Sequence, residues 1–383
     1  MALVATAATA RAQTDAPDSE RYTLRAELGA EYDTNAHRAE VVAGAVNPPA
    51  IASPLERVVV SGTLSDVVAD RQAIALAATV AGKLYDANGA HDEDVAIVSS
   101  SAAWQTTVND RSALTLSAAY YEAFQGAPHN LDDASLRRNF RSLAPSLQLD
   151  WSAAEGVTLA VSAGYRMFVF KPDRDIDFDA PTAGVELRWA RQPDTGAEWE
   201  GAVGAAFERR TFGGPAFIGC PAPAQPIFDI PCSGPDTRVD DFLMSHLDVT
   251  RTGRVLLGLG YAFQFNLSNS FGETVRRHFA IGRFAVALPG GFMLAARAEL
   301  LFASYRDPVL VGLGQSSPGS AISVESIEDE TRSSVRIDLS REVGERMRLI
   351  ARYTFYANEL GATAPVSYRR QTLLLSLAFA LEK

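Results

Sequence analysis

The chain is poor in the residues that build metal centres and disulfide scaffolds. Its 383 residues include two cysteines, Cys220 and Cys232, and five histidines. The cysteine spacing fits no zinc pattern, because no second pair of cysteines or histidines accompanies it. No metal or other cofactor is therefore expected. The two thiols are interpreted as a disulfide formed in an oxidising compartment, which would close and stiffen a loop.

Basic residues and long apolar runs are also scarce. Lysine and arginine number 35 against 46 aspartates and glutamates, which gives a formal net charge of −11. Nucleic acid is therefore not an expected partner, because phosphate contacts need a basic surface. No stretch approaches the roughly 18 consecutive apolar residues of a transmembrane helix. With 47% hydrophobic residues the chain nevertheless exceeds what a disordered protein carries.

The first residues have the composition of an export signal. Residues 1–10 are small and mostly apolar, and Ala10-Arg11-Ala12 has the A-x-A form that signal peptidase accepts. We therefore predict a signal peptide over 1–12 and one domain over 13–383. The run is short and lacks a basic segment before it, so we expect the true translation start upstream of Met1. An ordinary disordered N-terminus is the alternative.

Hydrophobic residues alternate with period two along the rest of the chain. Residues 255–265 read VLLGLGYAFQF, with large apolar and aromatic side chains on one face and glycine, alanine and glutamine on the other. Residues 346–356 and the C-terminal strand follow the same design. In the strand 21–32, Tyr22 and Tyr32 bracket an apolar band, as the lipid-facing side of a membrane strand requires.

The pattern predicts sixteen strands, with 14 or 18 as alternative counts. Tight turns rich in glycine, asparagine and aspartate alternate with longer polar links. The predicted strands cover 21–32, 56–67, 72–85, 94–106, 112–122, 140–151, 157–170, 182–191, 198–210, 241–250, 254–266, 275–288, 292–305, 331–341, 346–357 and 368–381. An even strand number with short turns on one side and long loops on the other predicts an all-β, antiparallel, up-and-down transmembrane barrel with periplasmic turns and external loops. A soluble β-sandwich or β-helix is the alternative fold.

Along the mature chain this arrangement resembles the porin-like β-barrels of Gram-negative outer membranes. The strand ending at Leu381 looks like the signal by which such barrels are inserted, although Leu381-Glu382-Lys383 lacks the terminal aromatic residue. Tyr32-Asp33-Thr34-Asn35 is similar to openings of barrels that serve surface polysaccharide export or lipoprotein assembly. The resemblance implies an outer-membrane location, contact with lipid and lipopolysaccharide, and passive transport. It also implies a homo-oligomer, commonly a trimer.

Strand parity predicts which charged residues face the lumen. If the apolar face meets lipid, the last five strands direct a set of mostly basic residues inward. These pore-lining candidates are Arg277, Arg283, Arg297, Glu299, Arg332, Arg336, Arg348, Arg352 and Arg370. Only Glu299 and Asp338 oppose the arginines on these strands, so the lumen is expected to favour small or anionic solutes. The alternative is that these charges pair with one another and fill the interior.

Other functions fit the sequence less well. The alternating carboxylates between Asp173 and Asp179 lack the glycine of a calcium loop. Enzymatic activity is not expected, because the five histidines are scattered and no G-x-S-x-G or H-E-x-x-H motif occurs. The remaining alternatives are a barrel for polysaccharide export with periplasmic partners and a surface barrel for adhesion. The loops 211–240 and 306–330 are the candidates for folding inward to narrow the pore.

Overall fold

The fold is that of a computed structural model. It describes residues 21–36, 41–42, 50–87, 90–125, 139–171, 174–192, 196–222, 225–306, 333–357, 366–367 and 369–382. The predicted signal peptide, Arg332 and most of the loop 306–330 lie outside these ranges. In the described part of the chain, no helix has the length and apolar character needed to cross a membrane.

Sixteen antiparallel strands form a closed barrel, which confirms the predicted fold class and strand number. Strands are numbered along the chain, with β2 (Val41–Val42) and β17 (Val366–Ser367) outside the barrel. The barrel strands are β1 (Arg21–Asp33), β3 (Ser53–Ala69), β4 (Gln72–Tyr85), β5 (Val95–Asn109), β6 (Ser112–Gln125), β7 (Phe140–Ala154), β8 (Val157–Phe170), β9 (Phe178–Arg191), β10 (Glu198–Ala222), β11 (Gln225–Thr252), β12 (Val255–Ser268), β13 (Val275–Leu288), β14 (Phe292–Tyr305), β15 (Ser333–Glu342), β16 (Met347–Ala357) and β18 (Arg369–Glu382).

The barrel closes where the first strand meets the last. Eleven residues of β1 lie in register with β18, and each neighbouring pair along the chain is antiparallel. Outside the barrel, Val41–Val42 (β2) pairs with Val366–Ser367 (β17), so the loops that flank this closure are joined by a small ribbon. We call the β1–β18 junction the seam. Among the described residues, single turns of 3-10 helix lie at His91–Glu93 and Arg174–Ile176, both in loops.

The link predicted as a polar loop over 211–240 is instead mostly strand, and this prediction was wrong. β10 and β11 continue past the barrel as a hairpin with irregular register near Pro215 and Phe217. The sequence signal was obscured because prolines and glycines interrupt the alternation, although a bulged ribbon tolerates them. Cys220 and Cys232 form a disulfide across this hairpin, with their Cα atoms 6.1 Å apart.

The outer face of the barrel carries an apolar band with aromatic residues near its edges. Leu28, Leu259 and Leu375 are among its exposed side chains. All four tryptophans point outward by register and lie near the short-turn end of their strands, where an interfacial girdle is expected. They are Trp104, Trp151, Trp189 and Trp199. A closed sheet with this outer surface is suited to spanning an outer membrane.

Candidate functional site

The candidate site is the inner wall of the barrel, where strand alternation places the polar and charged side chains. The structure places every described pore-lining candidate on this inner face, because each lies in register with other inward residues and out of phase with the exposed apolar band. Arg332 lies outside the described residues. The inner wall differs greatly from one sector to another, so we describe it by strands.

Three arginines lie side by side on three neighbouring strands. Arg283 on β13 is directly opposite Arg297 on β14, and Arg297 is directly opposite Arg336 on β15. We call these three residues the arginine row. Like charges at directly opposed positions destabilise a sheet. The row therefore needs nearby acids to neutralise it.

Each member of the row pairs with a carboxylate. Arg283 lies 3.0 Å from Asp248, Arg297 lies 3.2 Å from Glu299, and Arg336 lies 2.7 Å from Asp338. The arginine side chains are more exposed than their partners, at 40% against 23% for the first pair and 53% against 19% for the second. Water in the lumen thus meets guanidinium groups ahead of carboxylates in this sector.

Two glycines on β12 make room for the first of these pairs. Asp248 on β11 and Arg283 on β13 reach one another across β12, at the level of Gly258 and Gly260. A Cβ atom on Gly260 would stand 2.6 Å from Asp248 Oδ1, and one on Gly258 would stand 3.2 Å from Arg283 Cβ. The absence of side chains at these two glycines therefore leaves room for the ion pair across β12.

Of the remaining predicted arginines that the structure describes, all but Arg348 are buried. Arg352 is buried and shares Asp338 with Arg336. Arg348 pairs with Glu342 at 3.0 Å near the periplasmic end. Arg277 is buried on the inner face, in register with Gln264.

Arg370 contributes to the seam and faces no open water. Its guanidinium donates three hydrogen bonds to Asp33, which is fully buried and also accepts one from the Tyr85 hydroxyl at 3.3 Å. Next to it, Lys83 lies 3.2 Å from Glu31, which Arg57 approaches at 3.8 Å. This part of the wall holds its charges in paired and buried positions.

The acids on the last strands are more numerous than predicted. Glu342 and Glu382 also face the lumen and pair with Arg348 and Arg25. The strands β15 and β18 run one residue further than the pattern indicated, and this added one acid at each end. Asp248 and Asp33 come from strands distant in sequence. The prediction that only Glu299 and Asp338 oppose the arginines was therefore wrong.

Among the described residues, β5 and β6 carry no charged side chain that faces the lumen. On β5 and β6, the inward positions hold serine, threonine, alanine, glutamine and apolar residues. We call six lumen-facing serine and threonine residues of β5–β7 the hydroxyl wall, and Ser117 and Ser146 within it hydrogen bond at 2.7 Å. Its members are Ser99, Ser101, Thr115, Ser117, Ser142 and Ser146.

Aromatic rings lie toward the outer mouth, on the inner face of five adjacent strands. Successive ring centroids in this aromatic row are 5.5, 5.5, 4.9 and 5.3 Å apart. The row consists of Tyr121, Phe140, Phe168, Phe178 and Phe212. Sequence reasoning missed it, although each ring has inward parity near the outer end of its strand.

Arginines cover one end of the aromatic row. The Arg210 guanidinium lies 4.8 Å from the Phe178 ring and 3.7 Å from the Phe242 ring, and Arg238 lies 4.2 Å from Phe212. Phe178 and Phe212 are buried as a result, whereas Tyr121, Phe140 and Phe168 keep part of their surface exposed. The row thus has a covered end and an accessible end.

No protein-family model matches the chain, and no curated protein matches it. Solved structures with a similar shape include the outer membrane protein OpdK of Pseudomonas aeruginosa, at 9% identity over 95% of this chain and 99% of that one, with a TM-score of 0.41. OccAB1 of Acinetobacter baumannii has 9% identity, 95% and 97% coverage and a TM-score of 0.47. A loop-deletion mutant of OmpT of Vibrio cholerae has 11% identity, 95% and 100% coverage and a TM-score of 0.41.

The structure itself supplies the broader conclusion. A closed sixteen-stranded barrel, an apolar outer band with a tryptophan girdle, and a polar inner wall together form a porin-like outer-membrane β-barrel.

Proposed function

We propose that this barrel is a passive channel that favours small anionic solutes. The observation that carries the proposal is the arginine row, whose three guanidinium groups lie at directly opposed positions and are more exposed than their partner carboxylates. Exposed guanidinium groups in a water-filled pore raise the local concentration of anions.

Reversal potentials across a planar lipid bilayer test this proposal. The purified protein is refolded in detergent, and a KCl gradient is applied across single channels. We expect stepwise conductance with a reversal potential that favours chloride. Combined Arg283→Gln, Arg297→Gln and Arg336→Gln substitutions remove three positive charges from the wall and keep all the carboxylates, so the preference should move toward potassium.

Arg276→Gln is the matched control, because Arg276 lies on the same strand as Arg283 and its side chain faces outward over Phe265. This variant should keep the wild-type reversal potential. An unchanged potential in the triple variant would contradict the assigned role of the arginine row, and a folded but silent barrel would contradict the channel itself.

A further inference from the structure

We propose that the aromatic row and the hydroxyl wall together bind neutral saccharides inside the lumen. The proposal deepens the channel function and rests on it, but it concerns a different sector of the wall. The arginine row occupies β13–β15, whereas the aromatic row and the hydroxyl wall occupy β5–β10. The two sectors therefore make separate predictions.

Partly exposed aromatic rings are unexpected on the inner wall of a membrane barrel, because that wall is normally polar. The described contacts give a packing role to the covered end, where Arg210 and Arg238 lie over the rings. They give none to the exposed surfaces of Phe140 and Phe168. Rings left accessible in a lumen are suited to contact with a passing solute.

The side chains next to these rings indicate the solute's chemical class. Tyr121 is directly opposite Ser142, and Ser117 and Ser146 follow along the same two strands toward the periplasm. A sugar ring has an apolar C–H face that packs on an aromatic ring and hydroxyl groups that exchange hydrogen bonds with serine and threonine. The rings and hydroxyls of this sector match both features.

Charge argues against an anionic ligand at this place. Of the residues described on β5 and β6, none that faces the lumen is charged. The arginines near the row already have acid partners: Arg166 and Arg210 pair with Glu208, and Arg238 pairs with Asp240. An aromatic carboxylate would gain ring stacking here, but it would have to compete with these acids for a cation. A neutral sugar needs no ion pair to bind here.

Blocking of the ion current by maltohexaose tests the proposal. We expect the wild-type channel to show concentration-dependent interruptions of current. Phe140→Ala and Phe168→Ala should each raise the blocking constant about tenfold, as the loss of one stacked ring requires. Tyr165→Ala is the matched control on β8, because Tyr165 is exposed on the lipid-facing side of the same strand, in register with Pro181. Heat-modifiable migration on gels confirms that each variant is folded.

The outcomes separate this inference from the channel proposal. Block that is lost in the two lumen variants and kept in Tyr165→Ala supports the saccharide site. Conductance without block, or equal block in all variants, overturns the saccharide site and leaves the anion preference standing. Block by benzoate but not by maltohexaose overturns it in favour of aromatic anions. If the folded barrel is silent, calorimetric titration with maltohexaose decides instead, and absence of binding there overturns the inference.

Discussion

Arg370 on the last strand donates three hydrogen bonds to Asp33 on the first strand, joining residues 337 positions apart in sequence. Both side chains are buried, and the Tyr85 hydroxyl completes the group. A buried carboxylate without its cation carries an uncompensated charge. This pair therefore holds the outer end of the seam at the point where the barrel closes.

Replacing Arg370 by alanine should destabilise the barrel by about 3–5 kcal/mol, because it leaves Asp33 buried and unpaired. Urea unfolding followed by heat-modifiable migration measures the change. Arg25→Ala is the matched control, since Arg25 pairs with Glu382 at the exposed end of the same seam. Equal stability of the two variants would show that the buried pair does not support closure.

Adjacent serines on β5 test the assignment of the two barrel faces. Ser100 faces outward and Ser101 faces the lumen, and both are exposed. A cysteine at Ser101 should react with a charged, membrane-impermeant thiol reagent and lower the conductance. A cysteine at Ser100 should be protected by lipid in the reconstituted protein. The native cysteines are bonded to one another and do not interfere. The opposite labelling pattern would invert the assigned faces.

Reduction of the disulfide should loosen the β10–β11 hairpin and leave the barrel intact. Cross-linking cysteines 12 positions apart contributes about 3 kcal/mol in the chain-entropy model. With reductant, we expect faster proteolytic cleavage between residues 211 and 240 and unchanged heat-modifiable migration. Combined Cys220→Ser and Cys232→Ser substitutions should reproduce this effect without reductant. Identical cleavage under all conditions would mean that the hairpin is held by its other contacts.

The Trp189 ring on β9 occupies the space that a side chain at Gly201 on β10 would need. A Cβ atom at Gly201 would lie 2.0 Å from Trp189, its register partner on the lipid face. Gly201→Val should displace this tryptophan and destabilise the barrel by about 1–3 kcal/mol, with a shift in tryptophan fluorescence. Gly282→Val is the control, because Gly282 also faces outward and a Cβ atom there meets nothing within 4 Å. Similar effects of both changes would remove the role assigned to the Trp189 contact.

The barrel could be predicted from sequence because its repeating signal is local. Alternation over eleven residues, as in 255–265, identifies a strand and its lipid face without any knowledge of its neighbours. Tight turns such as Asn109-Asp110 then fix the order and direction of strands. The hairpin over 211–240 was not predicted because prolines and glycines interrupt the alternation of its side chains, although its backbone still pairs as strands.

The site was only partly predictable, because partners depend on register. Parity places Arg283 and Arg297 on the inner wall, but their direct opposition depends on how β13 aligns with β14. The ion pair between Arg283 and Asp248 crosses β12 and needs the space left by glycines on that strand. The sequence alone does not show that these glycines lie beside a charge pair. The aromatic row likewise forms only when five strands are laid side by side.

The ribbon of β2 and β17 has a mechanical consequence. It ties together the two loops that leave the outer end of the seam, so a load on the start of β18 is shared by the β1–β18 ladder, the Arg370–Asp33 pair and the ribbon. Because these three contacts act side by side, they resist such a load together. Separation of β1 from β18 at their outer ends therefore requires the ladder, the buried pair and the ribbon to give way.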